Sequence, residues 1–199
     1  MVRIEVTKYK CGVKGMKKVL LEIFDWVKTL VVIFIVVTVV HKYVFTPVKV
    51  DGPSMYPTLH DKDSVILWEF NYEPEPFDVI VFEYSPDVYY VKRVIGVPGQ
   101  TVRYENDQLY IDEQPVSEPF LDEGKEIISY MDEFTWDFTL QEICQFDSCD
   151  VIPEGYYLVL GDNRPRSKDS RQIGLISRNQ ILGKATWIQW PLSNFGKVE

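Results

Sequence analysis

An apolar segment near the N-terminus constrains this chain of 199 residues more than any other feature. Residues 29–40 carry no charge, and a mostly apolar sequence continues on both sides. A helix that crosses a bilayer needs about 20 such residues, a length that this segment reaches if Lys28 and Lys42 extend their amines to opposite interfaces. A cleavable leader would need small residues after the segment, yet the only alanine in the chain is Ala185. We therefore predict a single transmembrane anchor helix over residues 19–46.

The charges on the two sides of this segment differ in sign. Up to residue 28 the chain has seven Lys or Arg and three acidic residues, whereas from residue 47 onward it has 13 basic and 27 acidic residues. The positive-inside rule then places residues 1–18 in the cytoplasm and residues 47–199 outside it. The net charge of −14 in the larger part argues against nucleic acid as a partner. The lipid bilayer is the expected partner of the anchor.

From residue 47 onward the sequence is typical of a mainly β protein. Short runs rich in β-branched and aromatic residues are separated by Pro, Gly, Asp and Asn, and no amphipathic helix of ordinary length is evident. We predict strands at residues 64–70, 77–84, 88–95, 108–111 and 156–160. A hairpin is expected at residues 110–116, and a turn at Gly96–Gly99.

Residues 104–150 have the character of a cap-like insertion into this β-rich domain. The later part, residues 120–150, is acidic and contains Cys144 and Cys149 near its end, and we expect it to cover one edge of the sheet. Cys11 would be cytoplasmic and reduced, whereas the other two cysteines face an exterior that permits disulfides. A bridge between them is one alternative, and two free thiols are the other. Neither has a nearby histidine or a second cysteine pair, which argues against a metal site.

Residues 50–59 hold the first candidate for chemistry. Gly52 and Pro53 precede Ser54 and Pro57 follows it, so neither a regular helix nor a central strand is expected there. Ser54 is therefore predicted to lie on a tight turn that presents its hydroxyl and its backbone N–H side by side. The alternative is an ordinary surface turn, in which the hydroxyl only hydrogen-bonds its own backbone.

A serine nucleophile needs a base, and this chain has only two histidines. His41 lies at the end of the apolar segment and His60 only six residues after the serine, so a Ser-His-Asp arrangement has little support. Lys92 is the remaining candidate, because strand alternation places it among apolar residues. It shares its strand face with Val88, Tyr90 and Val94. Burial of that face would lower its pKa from roughly 10.4 to about 7.5, at a cost of about 4 kcal/mol. The alternative is a strand-end lysine that extends to water.

Residues 161–171 are crowded with charges and turn-forming residues. Most such runs are solvated loops of paired charges, which is the ordinary interpretation.

Three stretches of this chain together, however, resemble the signature boxes of the type I signal peptidases, in that family's order. They are Ser54–Leu59 (SMYPTL), Lys92–Gly99 (KRVIGVPG) and Gly161–Arg164 (GDNR) with Ser167, Asp169, Ser170, Arg171 and Gly174. The resemblance extends from about residue 26 to about residue 188.

The resemblance implies a membrane-bound serine endopeptidase that removes signal peptides from exported preproteins. Its catalytic domain would be β-rich and extracytoplasmic, with no cofactor, and we expect a monomer. Ser54 would be the nucleophile and Lys92 the general base, with Ser167 orienting the lysine amine by a hydrogen bond. Two ion pairs would support the site, Asp169 with Arg171 and Asp162 with Arg93.

The same resemblance assigns the Ser54 backbone N–H to the oxyanion hole. Some relatives carry a Ser or Thr hydroxyl two positions before the nucleophile, where this chain has Gly52, so a second donor is left open in the Gly52 region. An extended substrate is expected to pair with strand edges at residues 47–51 and 87–91, with small side chains at the first and third positions before the cut. The expected substrate-binding residues are Val50, Asp51, Gly52, Pro53, Met55, Tyr90 and Val91.

Two other classes of protein share parts of this pattern. A catalytically silent relative that acts as a scaffold would lack the serine or the lysine, and both are present here. A self-cleaving Ser-Lys regulator would carry a DNA-binding module, and the sequence contains no candidate for one.

Overall fold

The structure, a computed structural model, describes residues 12–43, 45–128, 133–146 and 148–198. The chain divides into two compact units, Met1–Lys42 and Tyr43–Glu199. Residues 1–11 of the expected cytoplasmic segment, with Cys11 among them, lie outside the described residues.

One long helix, α1, spans the 32 residues Gly12–Tyr43, none of which is proline. Its described apolar side chains are largely exposed, among them Leu30 at 61% and Phe34 at 71%. Of the helices within the described ranges, none is both long enough and apolar enough to cross a membrane.

The predicted bounds of the anchor helix, residues 19–46, need correction at both ends. The helix already begins at Gly12, inside the segment expected to precede it. At the other end, Phe45 and Thr46 belong to a strand, because they pair with residues of a second, antiparallel strand. The helix therefore ends at Tyr43.

The described residues form twelve strands in two antiparallel sheets. The strands are β1 (Phe45–Lys49), β2 (Ser64–Trp68), β3 (Val79–Ser85), β4 (Val88–Gly96), β5 (Val102–Glu105), β6 (Gln108–Ile111), β7 (Gln114–Val116), β8 (Phe138–Thr139), β9 (Tyr156–Leu160), β10 (Ile176–Ser177), β11 (Ile181–Trp190) and β12 (Gly196–Lys197). The larger sheet has the order β1-β2-β11-β3-β4-β9-β10, with β12 paired to β11, and the smaller has the order β7-β6-β5-β8. The described residues also form three short α-helices, α2 (Asp122–Ile127), α3 (Leu140–Ile143) and α4 (Ser170–Ile173), and four single-turn 3₁₀ helices.

The mainly β fold predicted from the sequence is confirmed by these sheets. The five predicted strands correspond to β2, β3, β4, β6 and β9, with ends that differ by no more than two residues. Polar residues between strands form the tight turns of the smaller sheet. Asn106 and Asp107 join β5 to β6 with φ of 51° and 60°, and Asp112 and Glu113 join β6 to β7 with φ of 49° and 62°. Two consecutive left-handed residues are what a two-residue hairpin requires, so the hairpin predicted at residues 110–116 is β6–β7.

The cap-like insertion packs onto strands inside the larger sheet. Leu109 from β6 shares one buried cluster with Ile95 from β4 and Leu158 from β9, and all three are 0% exposed. Phe138 and Leu140, from residues 120–150, belong to the same cluster. Because β4 and β9 both lie within the strand order, the insertion packs onto the middle of the sheet, and this core holds the strand that carries the candidate lysine. Coverage of a sheet edge by residues 120–150 stays a prediction.

Candidate active site

The turn at Ser54 is held by the segment that begins at Gly161. Asn163 donates its backbone N–H to the Ser54 carbonyl over 3.1 Å and its side-chain Nδ2–H to the Pro53 carbonyl over 3.0 Å. Gly161 lies so close that a Cβ atom there would be 2.5 Å from the Ser54 carbonyl oxygen and closer still to Ser167 Oγ. Glycine is needed at this contact because it has no Cβ. The first and third signature stretches are thus packed directly against each other.

Lys92 on β4 reaches the Ser54 hydroxyl. Its Nζ lies 2.7 Å from Ser54 Oγ and 2.8 Å from the carbonyl oxygen of Val91. The lysine is 3% exposed. Burial lowers its pKa from 10.5 to about 8, against the opposing effect of the negative charges on Asp169 and Asp162. A lysine of this pKa can accept a proton from a neighbouring hydroxyl near neutral pH.

The strand face predicted for Lys92 is buried along only part of its length. Tyr90 and Val94 pack with Ile80 and Phe82 in one buried cluster. Val88, at the start of β4, is 42% exposed. The burial of this strand face therefore begins at Tyr90, and Val88 lies outside it.

His60 does not take the place of the lysine. Its ring contacts the Tyr56 ring edge-to-face, with centroids 5.1 Å apart, and about half of its side chain is exposed. Among the described residues it makes no hydrogen bond to Ser54.

A buried ion pair joins the strand of Lys92 to the third signature stretch. Arg93 donates from Nε and Nη2 to the two carboxylate oxygens of Asp162, over 2.9 and 2.6 Å. Both side chains are almost completely buried. Thr58, four residues after Ser54, donates to the same carboxylate over 2.5 Å. Asp162 therefore connects residues from all three signature stretches by charge-assisted hydrogen bonds.

Asp169 organises the segment that leads into α4. Its carboxylate accepts two hydrogen bonds of 2.8 Å from the Arg171 guanidinium and one of 3.0 Å from the Gly161 backbone N–H. Arg171 also donates to the Arg164 carbonyl over 2.7 Å. The ion pair expected between Asp169 and Arg171 is thus present, and it fixes the glycine that packs against the serine turn.

Ser167 departs from the role that the family resemblance implied. Its hydroxyl is buried but has no hydrogen-bond partner among the described residues. The expected hydrogen bond to Lys92 is not formed, because the amine is directed to Ser54 Oγ and to the Val91 carbonyl. Ser167 instead packs against Gly161.

A third buried ion pair, between Arg164 and Glu118, was not predicted from the sequence. Arg164, 0% exposed, donates to Glu118 from the insertion over 2.5 Å and to the Gly161 carbonyl over 3.0 Å. Tyr104 and Thr135, also from the insertion, accept hydrogen bonds from the same guanidinium. Arg164 was matched to the family without a role, and no sequence pattern links it to an acidic residue 46 positions away.

A cleft of about 290 Å³ opens beside Ser54 and Lys92. It is lined by Val48, Lys49, Val50, Asp51, Gly52, Pro53, Ser54, Tyr89, Tyr90, Val91, Lys92, Arg166 and Lys168. Six of the seven predicted substrate-binding residues are in this lining. Met55 is the exception, because it is 1% exposed and packs into the core with Val50 and Leu59.

Two strand edges border this cleft. Within the described sheet, β1 pairs with β2 alone, so its other edge is open. The first half of β4 pairs only with β3, since β9 joins β4 from Arg93 onward. Backbone groups on both edges remain available to an extended peptide.

The candidate oxyanion donors differ in availability. No described residue accepts a hydrogen bond from the Ser54 backbone N–H. The Gly52 N–H, in contrast, donates to the Asp61 carboxylate over 2.8 Å. The expectation of a donor in the Gly52 region is therefore wrong for the Gly52 backbone amide, which is already engaged.

A disulfide joins Cys144 to Cys149, whose Cα atoms are 6.1 Å apart. Between them, Gln145 donates from Nε2 to the Leu175 carbonyl over 2.9 Å and accepts from the Leu175 N–H over 2.8 Å. The disulfide loop is thereby connected to the chain that follows α4.

The chain is similar to known proteins in both sequence and structure. The family model described as "Signal peptidase, peptidase S26" matches residues 23–190. Signal peptidase IB of Staphylococcus aureus (strain COL) is 41% identical over 178 residues, which cover 87% of this chain and 93% of that protein. Signal peptidase I S of Bacillus subtilis (strain 168) is 36% identical over 182 residues, which cover 88% and 94% of the two chains. The crystal structure of a signal peptidase I from Enterococcus faecalis V583 is similar with a TM-score of 0.53 and 41% identity, covering 58% of this chain and 98% of that one.

Proposed function

The chain belongs to the signal peptidase family, peptidase S26, and is a serine endopeptidase that removes signal peptides from preproteins; we propose that Ser54 is its nucleophile and Lys92 its general base. The observation that carries the proposal is the 2.7 Å hydrogen bond between Lys92 Nζ and Ser54 Oγ. The lysine is buried and its pKa is lowered to about 8, which suits a base at neutral pH.

The reaction follows from these two groups. Neutral Lys92 accepts the Ser54 hydroxyl proton as Oγ attacks the carbonyl carbon of the scissile bond. The resulting ammonium then protonates the leaving amine, which releases the mature protein and leaves an acyl group on Ser54. Lys92, neutral again, takes a proton from water as the water oxygen attacks the ester, and it then returns this proton to Ser54 Oγ as the signal peptide leaves with a new carboxyl group.

The tetrahedral intermediate needs hydrogen-bond donors for its oxyanion. The Ser54 N–H is one, because it lies beside Oγ on the same residue and no described group accepts from it. One such donor is worth about 3 kcal/mol in the transition state. We do not assign the Gly52 amide as the second donor, since Asp61 already accepts a hydrogen bond from it.

The open edges of β1 and β4 provide the substrate site. An extended peptide between them forms backbone hydrogen bonds and brings alternate side chains against the cleft wall formed by Val50, Tyr90 and Val91. The cleft holds only about 290 Å³, and for this reason we assign small residues to the first and third positions before the cut.

The remaining proposal concerns the membrane. The apolar segment 29–40 lies between a basic N-terminal flank and an acidic domain, which supports one crossing with residues 1–18 in the cytoplasm and residues 47–199 outside. Protease added to intact spheroplasts is expected to digest residues 47–199, as detected with antibodies against the domain. If the domain is digested only after detergent has opened the membrane, the orientation is the opposite of the one proposed.

The proposed base predicts a specific pH profile. With a peptide that has alanine at the first and third positions before the cut, kcat/KM is expected to rise with pH through about 8 and then level off. Only neutral Lys92 accepts the serine proton, and kcat/KM reports the free enzyme. The His60→Ala variant is the control and is expected to keep the profile. An increase centred near a histidine pKa of about 6.5 that is lost in His60→Ala would contradict the assignment.

The same pKa sets the sign of a stability effect. Between about 8 and 10.5 the unfolded chain binds a proton at Lys92 that the folded chain does not, so stability from this group rises with pH across that range. Below about 8 the folded protein holds a buried ammonium, at a cost of roughly 3 kcal/mol. Measuring the unfolding free energy at several pH values, for the wild type against Lys92→Met, isolates this contribution.

A further inference from the structure

The charges that line the cleft oppose the charge of the domain. From residue 47 onward, acidic residues outnumber basic ones by 27 to 13. Four of those 13 basic residues nevertheless line the cleft, namely Lys49, Lys92, Arg166 and Lys168, against one of the 27 acidic residues, Asp51. Asp51 is in turn paired with Lys62. Even with Lys92 neutral, as the mechanism requires, three cations line the cleft against one paired carboxylate, so the cleft is a positive site in a negative domain.

Arg166 and Lys168 have no role in the proposed mechanism. Both lie among the residues of the third signature stretch. Both are exposed, and no described carboxylate pairs with either. Lys168 is held in place, because Nζ donates to the Tyr84 hydroxyl over 3.1 Å and lies 4.6 Å from the centre of that ring. The Tyr84 ring stacks in turn on Tyr90, at 4.8 Å, in the cleft wall. Two cations thus face the cleft without a counter-ion, one of them on a fixed aromatic support.

The composition of a preprotein indicates which of its segments can bind these two cations. A signal peptide consists of a basic region, an apolar region and small residues at the cleavage site, none of which supplies a carboxylate. The residues after the cut belong to the mature protein and have no such restriction. We propose that Arg166 and Lys168 recognise acidic side chains within the first three residues of the mature protein, and so make the enzyme selective for preproteins with an acidic mature N-terminus. This inference rests on the proposed cleft as the substrate site.

The test uses the full chain in neutral detergent and three sets of peptides. Each set carries Glu, Gln or Lys at the first, second or third position after the cut and is otherwise identical. At low ionic strength, kcat/KM for the best Glu peptide is expected to exceed that of its Gln partner about three- to tenfold, since each exposed ion pair contributes modestly. The preference is expected to shrink in about 0.5 M salt, where charges a few ångströms apart are already screened.

Variants assign the preference to the two cations. The double variant Arg166→Gln/Lys168→Gln is expected to bring the Glu-to-Gln ratio to about 1, and Arg166→Glu/Lys168→Glu to favour the Lys peptide. Lys197→Gln, which removes an exposed lysine outside the cleft lining, is expected to keep the wild-type ratio.

Three outcomes would overturn the inference. One is a wild-type ratio near 1 at all three positions, and another is a preference that survives the double variant. The third is that the double variant has the same kcat/KM values as the wild type in detergent and differs only when vesicles of anionic phospholipid are present. That result would assign the two cations to lipid binding. The assignment of Ser54 as the nucleophile is tested separately. It would be contradicted if the Ser54→Ala variant still cleaved the Gln peptide.

Discussion

The Lys92→Met variant is expected to lose at least about a thousandfold in kcat/KM for signal-peptide cleavage while it remains folded, because a base contributes on this scale and methionine supplies none. The amine lies 2.7 Å from Ser54 Oγ, and no other described side chain of basic character reaches that hydroxyl. Methionine fills a similar volume and removes the cost of a buried charge. Cleavage of a fluorogenic signal peptide in detergent measures the loss, and thermal unfolding followed by circular dichroism measures the fold.

Three further variants control this experiment. Lys92→Arg keeps the charge but cannot deprotonate, so its activity is expected to be as low. Ser54→Ala removes the nucleophile and is expected to be inactive as well. Lys197→Met, at an exposed lysine remote from the cleft lining, is expected to retain wild-type activity. Near wild-type processing by a folded Lys92→Met enzyme would exclude Lys92 as the base.

The Arg164→Met variant is expected to lower the free energy of unfolding by about 3–5 kcal/mol, because it leaves the buried Glu118 carboxylate without a positive partner, with only the Tyr104 hydroxyl donating to it. The side chains of Arg164 and Glu118 are only 0% and 5% exposed. Urea denaturation followed by tryptophan fluorescence gives the value.

A matched pair elsewhere in the chain provides the control. Arg178 and Glu73 form an ion pair of 3.2 Å, but the Glu73 side chain is 79% exposed. Glu73→Gln, which removes the exposed charge and leaves the hydrogen bonds of Arg178 to the Tyr72 and Ile181 carbonyls in place, is therefore expected to cost less than about 1 kcal/mol. The double variant Arg164→Met/Glu118→Leu is expected to recover part of the loss, since it removes the unpaired charge. Equal losses in Arg164→Met and Glu73→Gln would mean that burial of the first pair has no effect on stability.

The sequence predicted those parts of the fold that have a local signal. Strands β2, β3, β4, β6 and β9 carry at least four residues of apolar or aromatic pattern, and they were predicted within two residues of their ends. Strands such as β8, β10 and β12 have only two residues each, too few for any period to show. They exist because neighbouring strands offer backbone partners, and single-sequence patterns do not contain that information.

The site divides in the same way. Lys92 could be predicted as the base from the sequence because strand alternation places it on the same face as apolar residues, which indicates a buried amine. The contacts of Asn163 with Pro53, and of Arg164 with Glu118, join residues 110 and 46 positions apart and leave no trace in local composition. Ser167 was given a hydrogen bond by family resemblance, and the structure directs the lysine amine elsewhere. The family resemblance therefore identified the residues of the site but did not predict all of their hydrogen bonds.

The long span of the contacts around Ser54 determines when in its own synthesis the enzyme becomes active. Thr58 bonds to Asp162 across 104 residues, and Pro53 to Asn163 across 110. Closing loops of that length is entropically costly and slow compared with local pairing. A growing chain that already displays Ser54 and Lys92 still lacks Gly161, Asp162 and Asn163, which hold the serine turn. Peptidase activity is therefore expected only once the last third of the polypeptide has been made.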